Sequence, residues 1–166
     1  MESFDLGRTF RLVTIPASAF QFLLGPAEQQ RCLAAVRRHL RPGGRLVLDV
    51  FDPRLDLCLP GFEPAPVERK VVVNPETGLR VRIVVEDRRN DAVAQVLTQR
   101  WRFTEFDASG AAVREETETL RFRWAYRFEM RWLLELAGFA VESEQSDFHG
   151  SPPAYGLRQV WVARRR

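Results

Sequence analysis

Hydrophobic residues in the first third of the chain follow two different patterns. Segments 10–16 and 45–51 are short and nearly continuously apolar, which is typical of strands buried on both faces of a parallel sheet. Between them, apolar positions recur every three or four residues and predict a helix that begins near Pro26 and stops at Pro42–Gly43. These positions are Leu33, Val36 and Leu40. Strand, helix and strand in this order predict a βαβ unit with a right-handed crossover.

The pattern changes to alternation in the region of about 67–125. Polar and apolar neighbours alternate at Thr119, Leu120, Arg121, Phe122, Arg123 and Trp124. Alternation of this kind is typical of a sheet with one buried and one solvated face. The segments "NPETG" and "DASG" are predicted to be turns between such strands. We therefore expect an antiparallel β lobe in this region.

Helical spacing returns after residue 125, and its apolar stripe is predicted to face the core. The stripe consists of Phe128, Trp132 and Leu136, widened by Leu133 and Leu134. Gly138 is predicted to end this helix, and two strands follow within 140–150 and 157–165. Residues 1–166 are therefore predicted to form a single α/β domain that contains the antiparallel lobe.

The composition is that of a globular protein without a membrane segment. The 166 residues are 45% hydrophobic and 28% charged, and no apolar run approaches the roughly 20 residues that span a bilayer. The N-terminal sequence lacks the pattern of a signal peptide. Cys32 and Cys58 match no metal or redox spacing, so we interpret them as reduced thiols of a cytoplasmic protein without a metal site.

The basic residues do not indicate nucleic-acid binding. The net charge is +3, and Lys70 is the single lysine. The two basic clusters are Arg37, Arg38, His39 and Arg41, and the terminal Arg164–Arg166. The first lies in the predicted last turn of a helix, where cations complement the helix dipole. We interpret both clusters as solvated surface rather than as a basic face interleaved with aromatic side chains.

Four segments, taken in order, resemble class I S-adenosylmethionine-dependent methyltransferases. They are "DLGRTFRLVTIPASAFQFLL", "CLAAVRRHLRPGGRLVLDVFDP", "RFEMRWLLELAGFAVES" and "VWVARR". The resemblance implies that they form the fourth to last strands of the family's sheet and the intervening helices. It predicts a partial Rossmann-like sheet with an inserted antiparallel lobe, corresponding to the C-terminal two-thirds of the family. On this reading the chain is N-terminally truncated, and Met1 matches an internal methionine.

The resemblance also implies S-adenosylmethionine as cofactor and identifies what would remain of its pocket. The pocket floor would be Pro16, Ala17, Ser18 and Phe20, with Met1 and Glu2 on the adenine side. Two alternatives stay open, that Phe20 is a core residue and that Pro16 serves only to stop the strand. No two of the ten glycines are separated by a single residue, so the family's G-x-G turn is absent. We therefore expect a site that is incomplete and a chain that binds the cofactor poorly.

Methyl transfer requires alignment of the nucleophile with the sulfonium methyl, sometimes with a base. The candidates near the expected active-site mouth are Tyr126, Arg127, Asp147 and His149. A histidine suits a base near neutral pH, and an arginine suits bidentate binding of an anionic acceptor. Two other interpretations stay open, a solvated loop histidine and a structural contact of Arg127 with Glu129.

Two carboxylates lie at the end of the second apolar run. Asp52 precedes Pro53 and is interpreted as a turn residue. Asp49 is positioned to face the top of the sheet.

Three functions are compatible with these observations. The first is a class I methyltransferase acting on a small molecule, and the second is a non-catalytic fragment or pseudoenzyme that serves as a binding or assembly module. The third is an α+β small-ligand-binding domain whose aromatic face consists of Trp101, Phe103, Phe122 and Trp124. In the methyltransferase reading, the strand at 10–16 has an unpaired edge and a bare neighbouring face. We expect a second copy of the chain to cover that edge as a homodimer.

Overall fold

The computed structural model describes residues 2–54, 56 and 65–166, which form two compact units. The first unit comprises Met1–Leu57 and Phe122–Arg166, and the second comprises Cys58–Arg121. The elements are β1 (Phe10–Ile15), a 3-10 helix (Ala19–Phe22), α1 (Pro26–His39), β2 (Leu40–Phe51), β3 (Val67–Val73), β4 (Arg80–Asp91), β5 (Val96–Phe106), β6 (Ala112–Arg123), α2 (Arg127–Leu136), β7 (Phe139–Gln145) and β8 (Arg158–Arg165).

The sheet of the first unit has the strand order β1-β2-β8-β7. β1 and β2 are parallel and connected through α1, whereas β8 is antiparallel to both of its neighbours. The predicted strand–helix–strand unit is thus confirmed. Gly44 allows the close approach of β1 and β2, because a Cβ atom there would lie 2.9 Å from the Arg41 carbonyl oxygen and 3.2 Å from that of Arg11.

The hydrophobic core lies between one face of this sheet and the two helices. Leu46, Leu48 and Val50 alternate along β2 and point into it. For Leu33 and Val36 the predicted α1 stripe is confirmed as part of this core. Leu40 is also fully buried, but it is the first residue of β2, because α1 ends at His39 and not at Pro42–Gly43 as predicted. The remaining large buried members include Phe20, Met130, Leu134, Phe139 and Trp161.

The opposite face of the sheet carries a different set of side chains. It is formed by cross-strand neighbours that include Leu12, Thr14, Val47 and Val162. Within the described residues, the buried positions of both helices belong to the first face, and Leu12 on this second face is 53% exposed. Glu142 accepts from the Nε atoms of Arg45 and Arg164, at 2.6 Å and 3.1 Å, at the amino end of β2. β1 is also the outermost strand of the sheet.

The predicted inward stripe of α2 is wrong for Phe128, Trp132 and Leu136 and confirmed for Leu133 and Leu134, which pack in or against the core. Phe128, Trp132 and Leu136 are 64%, 60% and 86% exposed, whereas Met130 and Leu134 are buried. Two apolar series with four-residue spacing overlap in this helix, and they lie about 160° apart at 100° per residue. Packing against the sheet selects the aliphatic series, and the Phe128 and Trp132 rings lie against each other outside, 6.2 Å apart. Gly138 follows the helix with φ +86°, as predicted.

The second unit is a four-stranded sheet with the order β3-β4-β5-β6, in which β4 is antiparallel to both β3 and β5. Both predicted turns are present: the Gly78 N–H donates to the Asn74 carbonyl, and the Gly110 N–H to that of Asp107. Trp101 and Phe103 are two residues apart on β5, and their rings stack at 6.3 Å. In the parts of the chain that the structure describes, no helix has the length and apolarity required to cross a membrane.

The corrected orientation of α2 predicts opposite outcomes for two neighbouring leucines. Leu134→Ala removes a fully buried side chain and should lower the free energy of unfolding by about 2–5 kcal/mol in urea denaturation. The matched control Leu136→Ala should change it by less than about 0.5 kcal/mol. Equal losses for the two variants would contradict this placement.

Candidate functional site

The chain turns sharply where it leaves the carboxyl end of β1. The Ala19 N–H donates to the Pro16 carbonyl over 3.2 Å, and the two residues between them have positive φ values, 57° at Ala17 and 58° at Ser18. This is the type I′ arrangement, which normally contains Asn or Gly. A left-handed conformation costs a non-glycine residue about 1–2 kcal/mol. The turn therefore requires support from outside itself.

The support comes from the Asp49 carboxylate on β2. Its Oδ2 atom accepts from the Ser18 N–H at 3.1 Å and from the Ser18 hydroxyl at 3.4 Å. The same oxygen forms a salt bridge with the Arg158 guanidinium at the start of β8. Asp49 is almost fully buried, and its Oδ1 atom has no partner within the described residues. Asp49 therefore faces the top of the sheet.

A second tether connects the 3-10 helix to β2. The backbone N–H of Phe51 donates to the buried Gln21 side-chain oxygen over 2.9 Å. Phe20, its neighbour, is fully buried in the core of the first unit. The Phe20 side chain therefore does not line the surface, whereas Pro16 and Ala17 are exposed and Ser18 is half-buried.

Asp52 fixes the connection between β7 and β8. Its Oδ2 accepts from the Gly156 N–H at 2.8 Å, and its Oδ1 accepts from the Gln159 side-chain amide at 2.7 Å. The same amide donates to the Ala125 carbonyl, and the Trp161 indole N–H donates to the Gln159 oxygen. Asp52 is thus more than a turn residue, because it links β2 to segments that are distant in sequence.

Asp147 fixes the loop after β7. One of its oxygens accepts from the N–H groups of His149 and Ser151, and the other accepts from the Ser151 hydroxyl at 2.6 Å. These hydrogen bonds favour the ionised form and lower the pKa of Asp147 to about 2, the Ser151 hydroxyl making the largest contribution. The His149 side chain is exposed on this fixed loop.

The candidates at the start of α2 are engaged in contacts within the first unit. Arg127 forms a bidentate pair with Glu144, with Nε–Oε1 and Nη2–Oε2 distances of 2.6 Å and 3.0 Å, which raises the pKa of Arg127. Its acidic partner is therefore Glu144 on β7 rather than Glu129. The Tyr126 ring packs edge-on against Trp124 at 5.3 Å and remains 38% exposed.

The N-terminal segment runs beside α1. Glu2 forms a salt bridge with Arg31, with an Nη2–Oε2 distance of 2.5 Å, and the Leu6 N–H donates to Nε2 of His39 at 2.9 Å. His39 is 4% exposed, so its predicted place on the solvated surface is wrong. Arg31 precedes His39 by eight residues, so Glu2 lies about 12 Å along the helix toward the carboxyl end of the sheet. Met1 lies outside the described residues.

The candidate site is therefore the carboxyl end of β1 and β2. There the structure brings together the Pro16–Ser18 turn, Asp49 and Arg158. Asp52 lies outside this group, because its hydrogen bonds hold the connection between β7 and β8. The sequence interpretation missed Arg158, Gln159 and Gln21. The alternation along β8 places Arg158 and Val160 on one face, but nothing in the sequence alone indicates that Asp49 is the partner of Arg158.

Two further features bear on the chemistry. A groove of about 380 Å³ lies between the C-terminal ends of α1 and α2, against Arg37 and Leu136, so it is at the opposite end of the sheet from this turn. Across residues 2–54, 56 and 65–166, no three His, Cys, Asp or Glu side chains are grouped as metal ligands. Asp49 and Asp52 already accept hydrogen bonds, so their arrangement suits holding loops in place.

Comparison with known proteins supports the resemblance. No family model matches the chain. Over 158 residues, 95% of this chain, it is 27% identical to a cypemycin N-terminal methyltransferase from a Streptomyces species. The chain spans 59% of the length of that relative.

Solved methyltransferase structures share the fold. The CcbJ methyltransferase of Streptomyces caelestis matches 99% of this chain with a TM-score of 0.78 and 21% identity, and 61% of its own chain is covered. An S-adenosylmethionine-bound amino pentose methyltransferase from Micromonospora echinaspora, involved in calicheamicin biosynthesis, matches 99% of this chain with a TM-score of 0.68. That match has 27% identity and covers 62% of the Micromonospora chain. The resemblance to S-adenosylmethionine-dependent methyltransferases, over about three-fifths of their length, is thereby confirmed.

The Asp147 loop makes a pH-dependent prediction. Because the folded pKa is about 2 and the ordinary value is 3.8, the loop is stabilised at and above about pH 4, and this stabilisation is lost as the pH falls toward 2. In a carboxyl-detected NMR titration, Ser151→Ala should raise the pKa of Asp147 toward its ordinary value. His149→Ala, which keeps the backbone N–H, should leave it near 2. An unchanged pKa in Ser151→Ala would contradict the hydrogen-bond assignment.

Proposed function

We propose that this chain forms the part of an S-adenosylmethionine-dependent methyltransferase that carries the β1-β2-β8-β7 sheet, and that the acceptor is a small molecule. The observation that carries the proposal is the match of 99% of the chain to the S-adenosylmethionine-bound amino pentose methyltransferase. The site lies at the carboxyl ends of parallel strands, where α/β sheets place their ligands. The alternative of a small-ligand-binding domain loses support, because β1, α1 and β2 form the parallel unit that it does not require.

The proposed cofactor wall is the Pro16–Ser18 turn, with Met1 and Glu2 on the adenine side. When bound, S-adenosylmethionine supplies an electrophilic methyl group on a sulfonium. Pro16 and Ala17 are exposed at the carboxyl end of β1, so they are free to contact a bound molecule. Phe20 contributes from below by packing in the core, which supports the turn without touching a ligand.

These 166 residues supply an incomplete cofactor pocket. No G-x-G turn exists in the sequence to let the backbone approach the methionine end of the cofactor. The matched relatives are longer than the region that this chain covers, by about two-fifths of their length. Because the pocket is incomplete, a non-catalytic binding or assembly module is the second candidate function. The exposure of Leu12 on the second face of the sheet favours it.

Among the candidate catalytic residues, we assign the proton acceptor to His149. Its ring is exposed, and Asp147 fixes the backbone on which it stands. Arg127 donates two hydrogen bonds to the Glu144 carboxylate, so we assign it the structural role of fixing α2 against β7. We assign Tyr126 to contact with the methyl-accepting molecule, because 38% of its surface is exposed.

The free edge of β1 supports association of two copies. β1 is outermost in its sheet, and Arg11, Leu12 and Thr14 are exposed along it. An uncovered strand edge is a template for pairing, and a two-fold axis would pair β1 with its copy in antiparallel orientation.

We also place the protein in the cytoplasm, where a buried free thiol such as Cys32 stays reduced. Burial raises the pKa of the Cys32 thiol to about 11.

Cofactor binding is tested by titrating the full chain with S-adenosylhomocysteine. In ¹⁵N NMR spectra, millimolar ligand should shift the amides of Ala17 and Ser18, while Gly78 and Gly110 in the second unit stay unchanged. Calorimetry should give a dissociation constant no tighter than about 1 mM, equivalent to about 4 kcal/mol. Adenosine monophosphate serves as the control for nucleotide binding without the methionine part.

The outcomes separate the two parts of this proposal. Tighter binding would contradict the incomplete pocket and retain the methyltransferase. An absence of any shift at residues 16–18 would contradict the cofactor wall.

Association is tested by sedimentation at micromolar concentration. The chain should sediment as a dimer, and Leu12→Lys should yield monomers because it places a charge beside the paired edge. Leu136→Lys, at an exposed leucine of α2 away from the β1 edge, is the control and should remain dimeric. A stable monomer of the unmodified chain would rule out the β1-edge dimer.

A further inference from the structure

We propose that Asp49 is a positioning residue that holds the Ala17–Ser18 turn in its left-handed conformation. This inference rests on the proposed function, because the turn forms the proposed cofactor wall. Asp49 itself does not touch the cofactor, since it is 1% exposed. It acts through the Ser18 N–H and hydroxyl, to which its Oδ2 atom is bound.

The first argument is conformational. Two consecutive residues with positive φ are left-handed here, and neither is glycine. Without an acceptor for the Ser18 N–H, the chain would relax toward negative φ and shift the surface formed by Pro16 and Ala17. A conformation of this kind persists only where the surroundings determine it.

The second argument is the distribution of hydrogen bonds between the two oxygens of the Asp49 carboxylate. Its three donors, from Ser18 twice and from Arg158, converge on Oδ2, whereas Oδ1 has no partner within the described residues. The carboxylate thus directs its hydrogen-bonding capacity at the turn and at the arginine that neutralises it. Charge-assisted hydrogen bonds are about twice as strong as neutral ones.

The third argument is rigidity. Asp49 stands on β2, which is paired with β1 on one side and β8 on the other, and its own cross-strand partner is Val160. Arg158 is held over the Phe148 ring at 5.9 Å, and its Nη1 atom also lies 3.5 Å from the Ser18 hydroxyl. The turn is therefore fixed to three strands, β1, β2 and β8. A cofactor wall must be held rigidly in this way to keep its shape.

Asp52 offers a matched control for the experiment. It lies at the end of the same strand, is 7% exposed and accepts two hydrogen bonds, but neither comes from the turn. Asp49→Asn and Asp52→Asn therefore each replace one buried carboxylate with a neutral amide. Native folding of each variant is checked by the near-ultraviolet circular dichroism of the buried Trp161.

The first readout is hydrogen exchange at the Ser18 amide of the full chain, measured by NMR without ligand. Asp49→Asn should accelerate this exchange at least tenfold, and Asp52→Asn should leave it within twofold. The second readout is the dissociation constant for S-adenosylhomocysteine from the shifts of Ala17. Asp49→Asn should weaken binding three- to tenfold, while Asp52→Asn leaves it unchanged.

A rescue variant separates positioning from general stability. Ser18→Gly in the Asp49→Asn background should restore the affinity to within about twofold, because glycine adopts positive φ without strain. A merely structural role for Asp49 would not produce this rescue.

Three results would overturn the proposal: an unchanged Ser18 exchange rate in Asp49→Asn, an equal acceleration in Asp52→Asn, or no rescue by glycine. If the ligand shifts no amide of the unmodified chain, the proposed function fails, and the exchange rates still decide whether Asp49 holds the turn.

Discussion

The pairing of β2 with a strand on each side is the constraint on which the first unit depends. β2 runs parallel to β1 and antiparallel to β8, so its alternate side chains are fixed to opposite faces. One face receives the leucines that pack against both helices. The other presents Asp49 at the carboxyl end, beside the turn that leaves β1. A shift of β2 by one residue would exchange the two sets and remove core and site together.

The elements that the sequence predicts well are those whose own pattern determines them. The apolar runs of β1 and β2, the α1 stripe and the turns at Gly78 and Gly110 depend on neighbours along the chain. The start of β2 directly after His39, without a separating loop, is less apparent, because Pro42 and Gly43 indicate a break. There the ladder with β1 overrides the local preference.

The elements that the sequence predicts badly depend on contacts with residues far away along the chain. α2 contains two apolar series, and only packing on β7 and β8 selects the one with Met130 and Leu134. His39 is basic by composition and buried because Leu6 and Phe4 return to it. For the site, residues Pro16–Ser18 followed from a family resemblance, whereas the contact of Asp49 with Arg158 spans more than a hundred residues. The contact of Asp52 with Gly156, outside the site, also spans more than a hundred residues. Spacing rules carry no information at that separation.

The His39 ring connects the beginning of the chain to the last turn of α1. Its Nε2 atom accepts the hydrogen bond from the Leu6 N–H, and its Nδ1 atom lies 2.8 Å from the Ala35 carbonyl oxygen of the same helix. The Asp5 carboxylate lies 3.3 Å from Nε2, and the Phe4 ring packs against the imidazole at 4.8 Å. A single side chain of α1 therefore fixes three consecutive residues that precede β1.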